Sequence, residues 1–167
     1  MRKSKRLRPP ADVTRHLAKA ERVLSAEPLA SGGWALITRH ALIVADDTGV
    51  QQRAQWHEID TGQWQGDILT FTIIWADRVR PDTTMVLTRD EVDEFTGALR
   101  ERVQSSVVHA ESIEVGRARV RATVRRRPDN SLYSQVTAFG PLRHTPQETA
   151  AINELERRVR EAAGLPT

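Results

Sequence analysis

An amphipathic segment at residues 88–107 constrains the fold more than any other stretch of the chain. Thr88 is followed three residues later by Glu91, a capping-box pattern that predicts the start of a helix. At 100° per residue, five apolar side chains then fall within one arc of about 120°. They are Val92, Phe95, Leu99, Val103 and Val107. Because so continuous an apolar stripe must be covered, the helix is expected to pack against a sheet.

Short strands are predicted along most of the region before this helix. Apolar or alternating runs are separated there by turn sequences such as Ser31-Gly32-Gly33. The pattern predicts seven strands, at residues 23–30, 34–38, 41–45, 50–56, 63–65, 68–75 and 83–87. We therefore expect an α+β fold in which a seven-stranded antiparallel barrel is capped by the helix.

Residues 109–167 are predicted to form a β-hairpin followed by a final helix. Alternation runs through residues 112–124 and 132–139, and Thr145 followed by Pro146 is typical of a helix start. Two strands and one helix bury too little surface to be stable alone. The extension is therefore expected to dock on the barrel or to pair with a second copy in a homodimer, and the sequence leaves both open.

Charge is distributed unevenly along the chain. Residues 1–20 carry seven Lys or Arg against one acid, residues 21–108 carry eight against fourteen, and residues 109–167 carry ten against seven. The first segment is predicted to be a basic tail with a short helix over residues 13–20, capped by Asp12. The expected domains are thus 1–20, 21–108 and 109–167, and polyanions should be attracted to the two basic ends.

The sequence GWALITRHALIV at residues 33–44 consists of two apolar strands joined by a turn. It resembles the first strands of small bacterial pleckstrin-homology-like domains, a group that includes GRAM-like domains, and the resemblance covers about residues 21–108. It implies a scaffold without catalytic residues that binds lipid headgroups, peptides or other proteins. Members that bind phosphoinositides carry a Lys/Arg cluster in the first loop. This chain has Ser31-Gly32-Gly33 there, so a membrane partner is not expected.

No residue pattern predicts catalysis or a bound cofactor. The chain has no cysteine, its five histidines are isolated, and it lacks the glycine-rich motifs of nucleotide-binding and hydrolase sites. We expect no enzyme activity, no metal site and no cofactor. No apolar run is long enough to span a bilayer and no secretory signal pattern occurs, so a cytoplasmic location is expected.

Three groups of residues are predicted to contact a macromolecule. The first is a row of arginines with an aromatic residue expected across from it, and comprises Arg117, Arg119, Arg121, Arg125 and Tyr133. The second is the tail, with Arg2, Lys3, Lys5, Arg6 and Arg8. The third is Trp64, which lies between two glutamines and is predicted to be exposed, whereas Trp34 and Trp75 are expected in the core.

Two functional hypotheses follow from these groups. The first is a non-enzymatic adaptor that binds another protein, whose identity the sequence does not give. The alternative is a nucleic-acid-binding protein that uses the tail and the Arg row. Arginines at alternate strand positions lie about 6.6 Å apart, similar to the phosphate spacing along one nucleic-acid strand. The competing interpretation of the row is a solvated face whose cations meet the acidic barrel.

Overall fold

The computed structural model describes residues 6–167, so the predicted tail residues Arg2, Lys3 and Lys5 lie outside the described range. The fold is α+β, with three antiparallel sheets and a C-terminal helix. The chain divides into two compact units at the boundary between Gln104 and Ser105. Each unit has a hydrophobic core of its own. None of the helices in the described range is both long enough and apolar enough to cross a bilayer.

The first unit contains the seven strands that the sequence pattern predicts, arranged in two sheets. The four-stranded sheet pairs its members in sequential order and consists of β1 (Val23–Pro28), β2 (Trp34–Thr38), β3 (Ala41–Asp46) and β4 (Gly49–Gln55). The three-stranded sheet also follows chain order and consists of β5 (Ile59–Gln65), β6 (Thr70–Trp75) and β7 (Thr83–Val86). Each strand runs antiparallel to its neighbour in the sheet.

Closure of these strands into a single seven-stranded barrel is not confirmed. A 3₁₀ turn at Trp56–Glu58 redirects the chain after β4, and β4 does not pair with β5 among the described residues. Where β1 approaches β7, one isolated bridge joins Leu29 to Leu87. Pro28 ends β1 just before that bridge and has no N–H to extend the ladder. The physical result is two sheets that share a core without forming one continuous sheet.

The core of the first unit takes side chains from both sheets and from α2 (Asp93–Ser105). The predicted apolar stripe is confirmed at four of its five positions, since Val92, Phe95, Leu99 and Val103 are all buried. The fifth, Val107, is not helical. It begins the next strand instead.

The start of α2 differs from the prediction. The helix begins at Asp93, five residues after Thr88, so the expected capping box does not mark its first turn. Residues 88–92 instead carry Arg89 to the buried carboxylate of Glu27 on β1, with Nη2 to Oε1 at 2.6 Å and Nε to Oε2 at 2.9 Å. This bidentate, charge-assisted pair holds the segment before α2 against β1.

The N-terminal segment packs against the four-stranded sheet. The predicted helix over residues 13–20 is shorter and earlier, at α1 (Ala11–Thr14), with Pro10 and not Asp12 as its N-cap. Val13 is buried in a second cluster that includes Leu36 and Ile43 of the sheet. After α1 the chain leaves the helical path, and a ring nitrogen of His16 lies 2.8 Å from the carbonyl oxygen of Asp47.

The second unit is a three-stranded sheet covered by a helix, where the sequence predicts a hairpin and a helix. Its strands are β8 (Val107–Val115), β9 (Ala118–Arg126) and β10 (Leu132–Phe139), with β9 in the centre. The single strand predicted at residues 112–124 is interrupted because Gly116, at φ +59°, reverses the chain. This turn adds the third strand.

Helix α3 (Pro146–Ala162) begins as predicted. Thr145 Oγ1 accepts a hydrogen bond from the backbone N–H of Glu148 at 3.2 Å, and Pro146 occupies the first turn. Leu155 and Val159 are fully buried against the sheet. Since this unit has its own core, it does not need a partner to bury its apolar face. A homodimer through residues 109–167 stays a prediction.

Candidate functional site

A groove of about 390 Å³ lies between β5 and α2 in the first unit. Its floor is apolar and its rim is polar, a combination typical of sites that bind part of another molecule. The lining residues are Asp60, Thr61, Gly62, Trp64, Phe71, Thr96, Leu99, Arg100, Val103 and Gln104. We call this site the α2–β5 groove.

Strand β5 forms one wall of the groove and is the edge of its sheet. It pairs with β6 on one side and has no strand partner on the other among the described residues. An edge strand presents backbone N–H and C=O groups that an added strand can pair with. The groove is therefore bordered by backbone hydrogen-bonding groups as well as by side chains.

Close packing beneath the groove depends on a glycine. A Cβ atom at Gly62 would lie 2.5 Å from Cζ of Phe71 and 3.0 Å from Cδ2 of Leu99. Because this is far inside van der Waals contact, any side chain at position 62 would displace the Phe71 ring. The absent side chain lets the floor of the groove sit directly against β5.

Trp34 and Trp64 are half-buried, whereas Trp56 and Trp75 are buried, so the expected core position is confirmed for Trp75 and not for Trp34. The indole N–H of Trp56 donates to backbone oxygens of the β2–β3 turn, and that of Trp75 donates to Thr83 Oγ1 at 3.1 Å. No acceptor for the Trp64 indole N–H is found within the described part of the chain, and the ring is half-buried. Its centroid lies 6.4 Å from that of Phe71. Trp64 thus offers an apolar ring and an unused donor on one side of the groove.

Helix α2 contributes a polar stripe to the opposite wall. Thr96, Arg100 and Gln104 are spaced by four residues, so they lie one above the other along the helix, while Leu99 and Val103 reach the floor. Arg100 is exposed and makes no ion pair with any residue between positions 6 and 167. Asp60, the other charged residue at the rim, is engaged in contacts within the protein.

The Arg row is divided by its surroundings. The strand alternates as predicted, with Val120, Ala122 and Val124 on the face covered by α3. Arg125, however, is only 3% exposed, and its Nη1 donates to Ser106 Oγ at 3.1 Å. The four arginines of the predicted row therefore do not form one exposed row.

The remaining members of the row differ from one another. Arg121 is half-buried, lies 5.1 Å from the centroid of the Phe139 ring and is engaged in further contacts within the protein. Arg119 is exposed on β9, and Arg117 is exposed in the turn before that strand. Arg117 and Arg119 form no ion pair with another described residue.

Tyr133 lies across from Arg125, and Gln135 across from Thr123, so the expected cross-strand neighbours are placed together. The guanidinium of Arg127, a residue outside the predicted group, lies 4.1 Å from the centroid of the Tyr133 ring. Tyr133 is half-buried and engaged in contacts within the protein. The guanidinium of Arg127 therefore already covers one face of the Tyr133 ring.

The predicted tail residues that the structure describes, Arg6 and Arg8, also differ in their contacts. Arg6 donates to the carbonyl oxygen of Leu24 and lies 3.8 Å from a carboxylate oxygen of Glu94. Arg8 is exposed. Arg2, Lys3 and Lys5 fall outside the described residues. The structure thus attaches the last part of the tail to the first unit.

Carboxylates with lowered pKa values lie away from the groove. Burial opposes the shift, but hydrogen bonds from Arg53 and Thr38 lower the pKa of Glu21 below 4.5. Hydrogen bonds from Thr48, through its side chain and its backbone, lower the pKa of Asp46. In the second unit, hydrogen bonds from His109 and Arg158 lower the pKa of Glu111. These groups hold turns and strands in place and do not converge on one site.

The α2–β5 groove was only partly predictable. Trp64 was expected to be an exposed binding residue; the structure places it half-buried in the groove wall. Thr96, Arg100 and Gln104 were not expected to contribute. The signal for them is their spacing of four residues directly beside the apolar stripe, combined with an edge strand that only the folded topology reveals.

Comparison with known proteins gives only weak structural likeness. No protein-family model matches the chain, and no curated protein matches it. Among solved structures, it is similar to the complex of the FERM and C-terminal domains of Drosophila Merlin, with 15% identity and a TM-score of 0.37. The match covers 52% of this chain and 31% of that one. A likeness of this size carries no conclusion about fold family or function.

Proposed function

We propose that this chain is a non-enzymatic binding module that recognises another protein through the α2–β5 groove. The observation that carries the proposal is Trp64, a half-buried aromatic ring with an unused indole donor beside an apolar floor. Aromatic residues of this kind are enriched among the residues that dominate binding energy at protein interfaces. The sequence resemblance to pleckstrin-homology-like domains, which implies peptide or protein binding, agrees with this proposal.

The groove is better suited to a protein segment than to a small metabolite. It is bordered along one side by β5, which has no second strand neighbour among the described residues. Backbone pairing with an added strand supplies affinity that does not depend on specific side chains. The polar stripe of α2 on the other side supplies side-chain selectivity. An extended segment of a partner can contact both walls at once.

Site-specific cross-linking tests the proposal. A photoreactive benzoylphenylalanine at position Gln104 in the groove, and a control probe at Arg39 in the exposed β2–β3 turn, are compared in an extract of the cells that make the protein. We expect a protein to be captured from position 104 and not from position 39, and Trp64→Ala to abolish that capture. Identical captured proteins at the two positions, unaffected by Trp64→Ala, would refute the proposal.

Nucleic-acid binding by the second unit is a second candidate. It is favoured by the exposure of Arg117 and Arg119 in a unit with a net positive charge. We expect Arg117→Glu with Arg119→Glu to weaken binding of single-stranded RNA far more than the matched pair Arg22→Glu with Arg39→Glu, with an affinity that falls steeply as salt rises. Equal effects of the two pairs would remove this candidate.

A further inference from the structure

Arg100 differs from several arginines of the first unit in having no carboxylate partner among the described residues, and it lies at the groove. Other arginines of this unit have carboxylate partners: Arg53 pairs with Glu21 at 2.7 Å, and Arg89 with Glu27 at 2.6 Å. Arg100 has none among residues 6–167, although the surrounding region from residue 21 to 108 holds fourteen acids and eight bases. An unpaired cation at the rim of an apolar groove is a complementary site for one negative charge.

The spacing of the α2 stripe fits an extended segment. Thr96, Arg100 and Gln104 rise about 6 Å apart along the helix, at 1.5 Å per residue. Alternate side chains of an extended chain are about 6.6 Å apart and point to the same side. A segment lying between β5 and α2 would therefore place every second side chain opposite one member of the stripe, and one of them opposite Arg100.

We infer that the α2–β5 groove selects an extended peptide segment that carries a carboxylate for Arg100 and an apolar side chain for the floor beside Trp64. This inference rests on the proposed function and names the chemistry of its partner. The apolar side chain covers the Trp64, Phe71 and Leu99 surface, and the carboxylate accepts hydrogen bonds from the Arg100 guanidinium.

A carboxylate fits this site better than a phosphate. A phosphorylated residue carries a charge of about −1.5 to −2 and is usually held by several Arg or Lys side chains. The charged residues lining the groove are one cation, Arg100, and one acid, Asp60, which is already engaged within the protein. The single negative charge of a carboxylate matches Arg100, and because alternate side chains of the segment face the α2 stripe, an Asp or Glu side chain supplies it.

Peptide selection on the full chain tests the inference. A library of random twelve-residue peptides with free C-termini is selected against the wild-type protein, and the enriched peptides are synthesised. Binding in the groove is read from the indole ¹H–¹⁵N signal of Trp64, assigned with Trp64→Phe, while the Trp56 and Trp75 signals report that the fold is intact. Each peptide is then measured with its acidic residue changed to an amide and, separately, with its C-terminus amidated.

We expect enriched peptides to shift the Trp64 signal and to lose about tenfold in affinity when the relevant carboxylate is neutralised. Arg100→Gln should cause the same loss, with no further loss when both changes are combined. A lysine in place of the peptide acid should restore binding to Arg100→Glu. The control Arg39→Glu should leave every affinity unchanged. Amidation of the C-terminus should leave the affinity unchanged, and a loss caused by amidation alone would overturn the assignment of the carboxylate to a side chain.

Three further results would overturn the inference, and they separate it from the proposed function. Peptides that shift the Trp64 signal but bind Arg100→Gln as well as wild type would overturn the carboxylate requirement and leave the groove as a protein-binding site. Failure of every enriched peptide to shift the Trp64 signal would overturn both. A shift that appears with protein concentration alone would show that a second copy of the chain, and not a peptide, occupies the groove.

Discussion

Arg89 is predicted to be the residue whose loss most destabilises the first unit without changing its apolar core. Its guanidinium makes two hydrogen bonds, of 2.6 and 2.9 Å, to the carboxylate of Glu27 on β1. Glu27 is 2% exposed and lies among buried residues of the strand. Sixty-two residues separate the two, so the pair fixes the segment before α2 to the first strand of the unit.

The expected magnitude follows from the burial of the carboxylate. Replacing Arg89 with methionine keeps much of the side-chain volume but leaves Glu27 as a buried, unpaired charge, which costs about 3–5 kcal/mol of unfolding free energy. Replacing both partners, with Arg89→Met and Glu27→Leu, removes the uncompensated charge and should recover most of that loss. The exposed residue Arg39 is the reference, and Arg39→Met should change stability by less than about 0.5 kcal/mol.

Urea denaturation followed by tryptophan fluorescence measures the unfolding free energy of the first unit and so tests this prediction. All four tryptophans of the chain lie in the first unit, so the fluorescence signal reports that unit alone. With a slope near 2 kcal/mol per molar urea, Arg89→Met should lower the midpoint by about 2 M. A loss below about 1 kcal/mol for Arg89→Met, or a double variant less stable than Arg89→Met, would refute the reasoning.

Three further predictions concern packing and pH. Trp75→Ala should cost about 3–5 kcal/mol because its ring is fully buried, and the same urea titration should show a clearly smaller loss for Trp64→Ala. Gly62→Ala should destabilise the first unit by about 1–3 kcal/mol because its Cβ would meet the Phe71 ring, a loss that Phe71→Leu should relieve. Because the folded pKa of Glu21 lies below its ordinary value, its contribution is present at neutral pH and is lost as pH falls through that folded pKa. Thermal unfolding of Glu21→Gln should therefore differ from wild type at pH 7, and the difference should become smaller as the pH is lowered into the acidic range.

Periodic features of the sequence predicted most of the local structure. The stripe from Val92 to Val103 identifies the buried face of α2, because burial on a helix follows a period of 3.6 residues whatever the partner. The alternation around Val120 likewise identifies which face of β9 is covered. Thr145 and Pro146 mark the start of α3 because capping involves only neighbouring residues.

Features that depend on distant residues were not predictable in this way. The local pattern at Thr88 and Glu91 predicts a helix start, but the structure joins Arg89 in this segment to Glu27, sixty-two residues earlier, and α2 begins at Asp93. The division into two sheets depends on which strands pair across the unit. A turn at Gly116 split one predicted strand into two, because glycine there adopts φ +59° and reverses the chain.

The candidate site was predictable only in part for the same reason. Trp64 could be chosen from its polar neighbours, but the groove beside it exists because β5 is an edge strand lying near the polar stripe of α2. The alternation predicts that Arg125 belongs to an exposed row. The structure instead buries Arg125 beside Ser106, the residue just before β8. Sequence periodicity predicts which side chains share one face of a strand. It does not predict which other part of the chain packs on that face.

The affinity of the cross-linked partner for the wild-type chain and for Trp64→Ala, measured by isothermal titration calorimetry, tests the central claim most directly. If the α2–β5 groove is the binding site, Trp64→Ala should weaken the affinity at least tenfold while the Trp56 and Trp75 indole signals stay in place. Equal affinities of the two proteins would contradict the claim that this groove binds the partner.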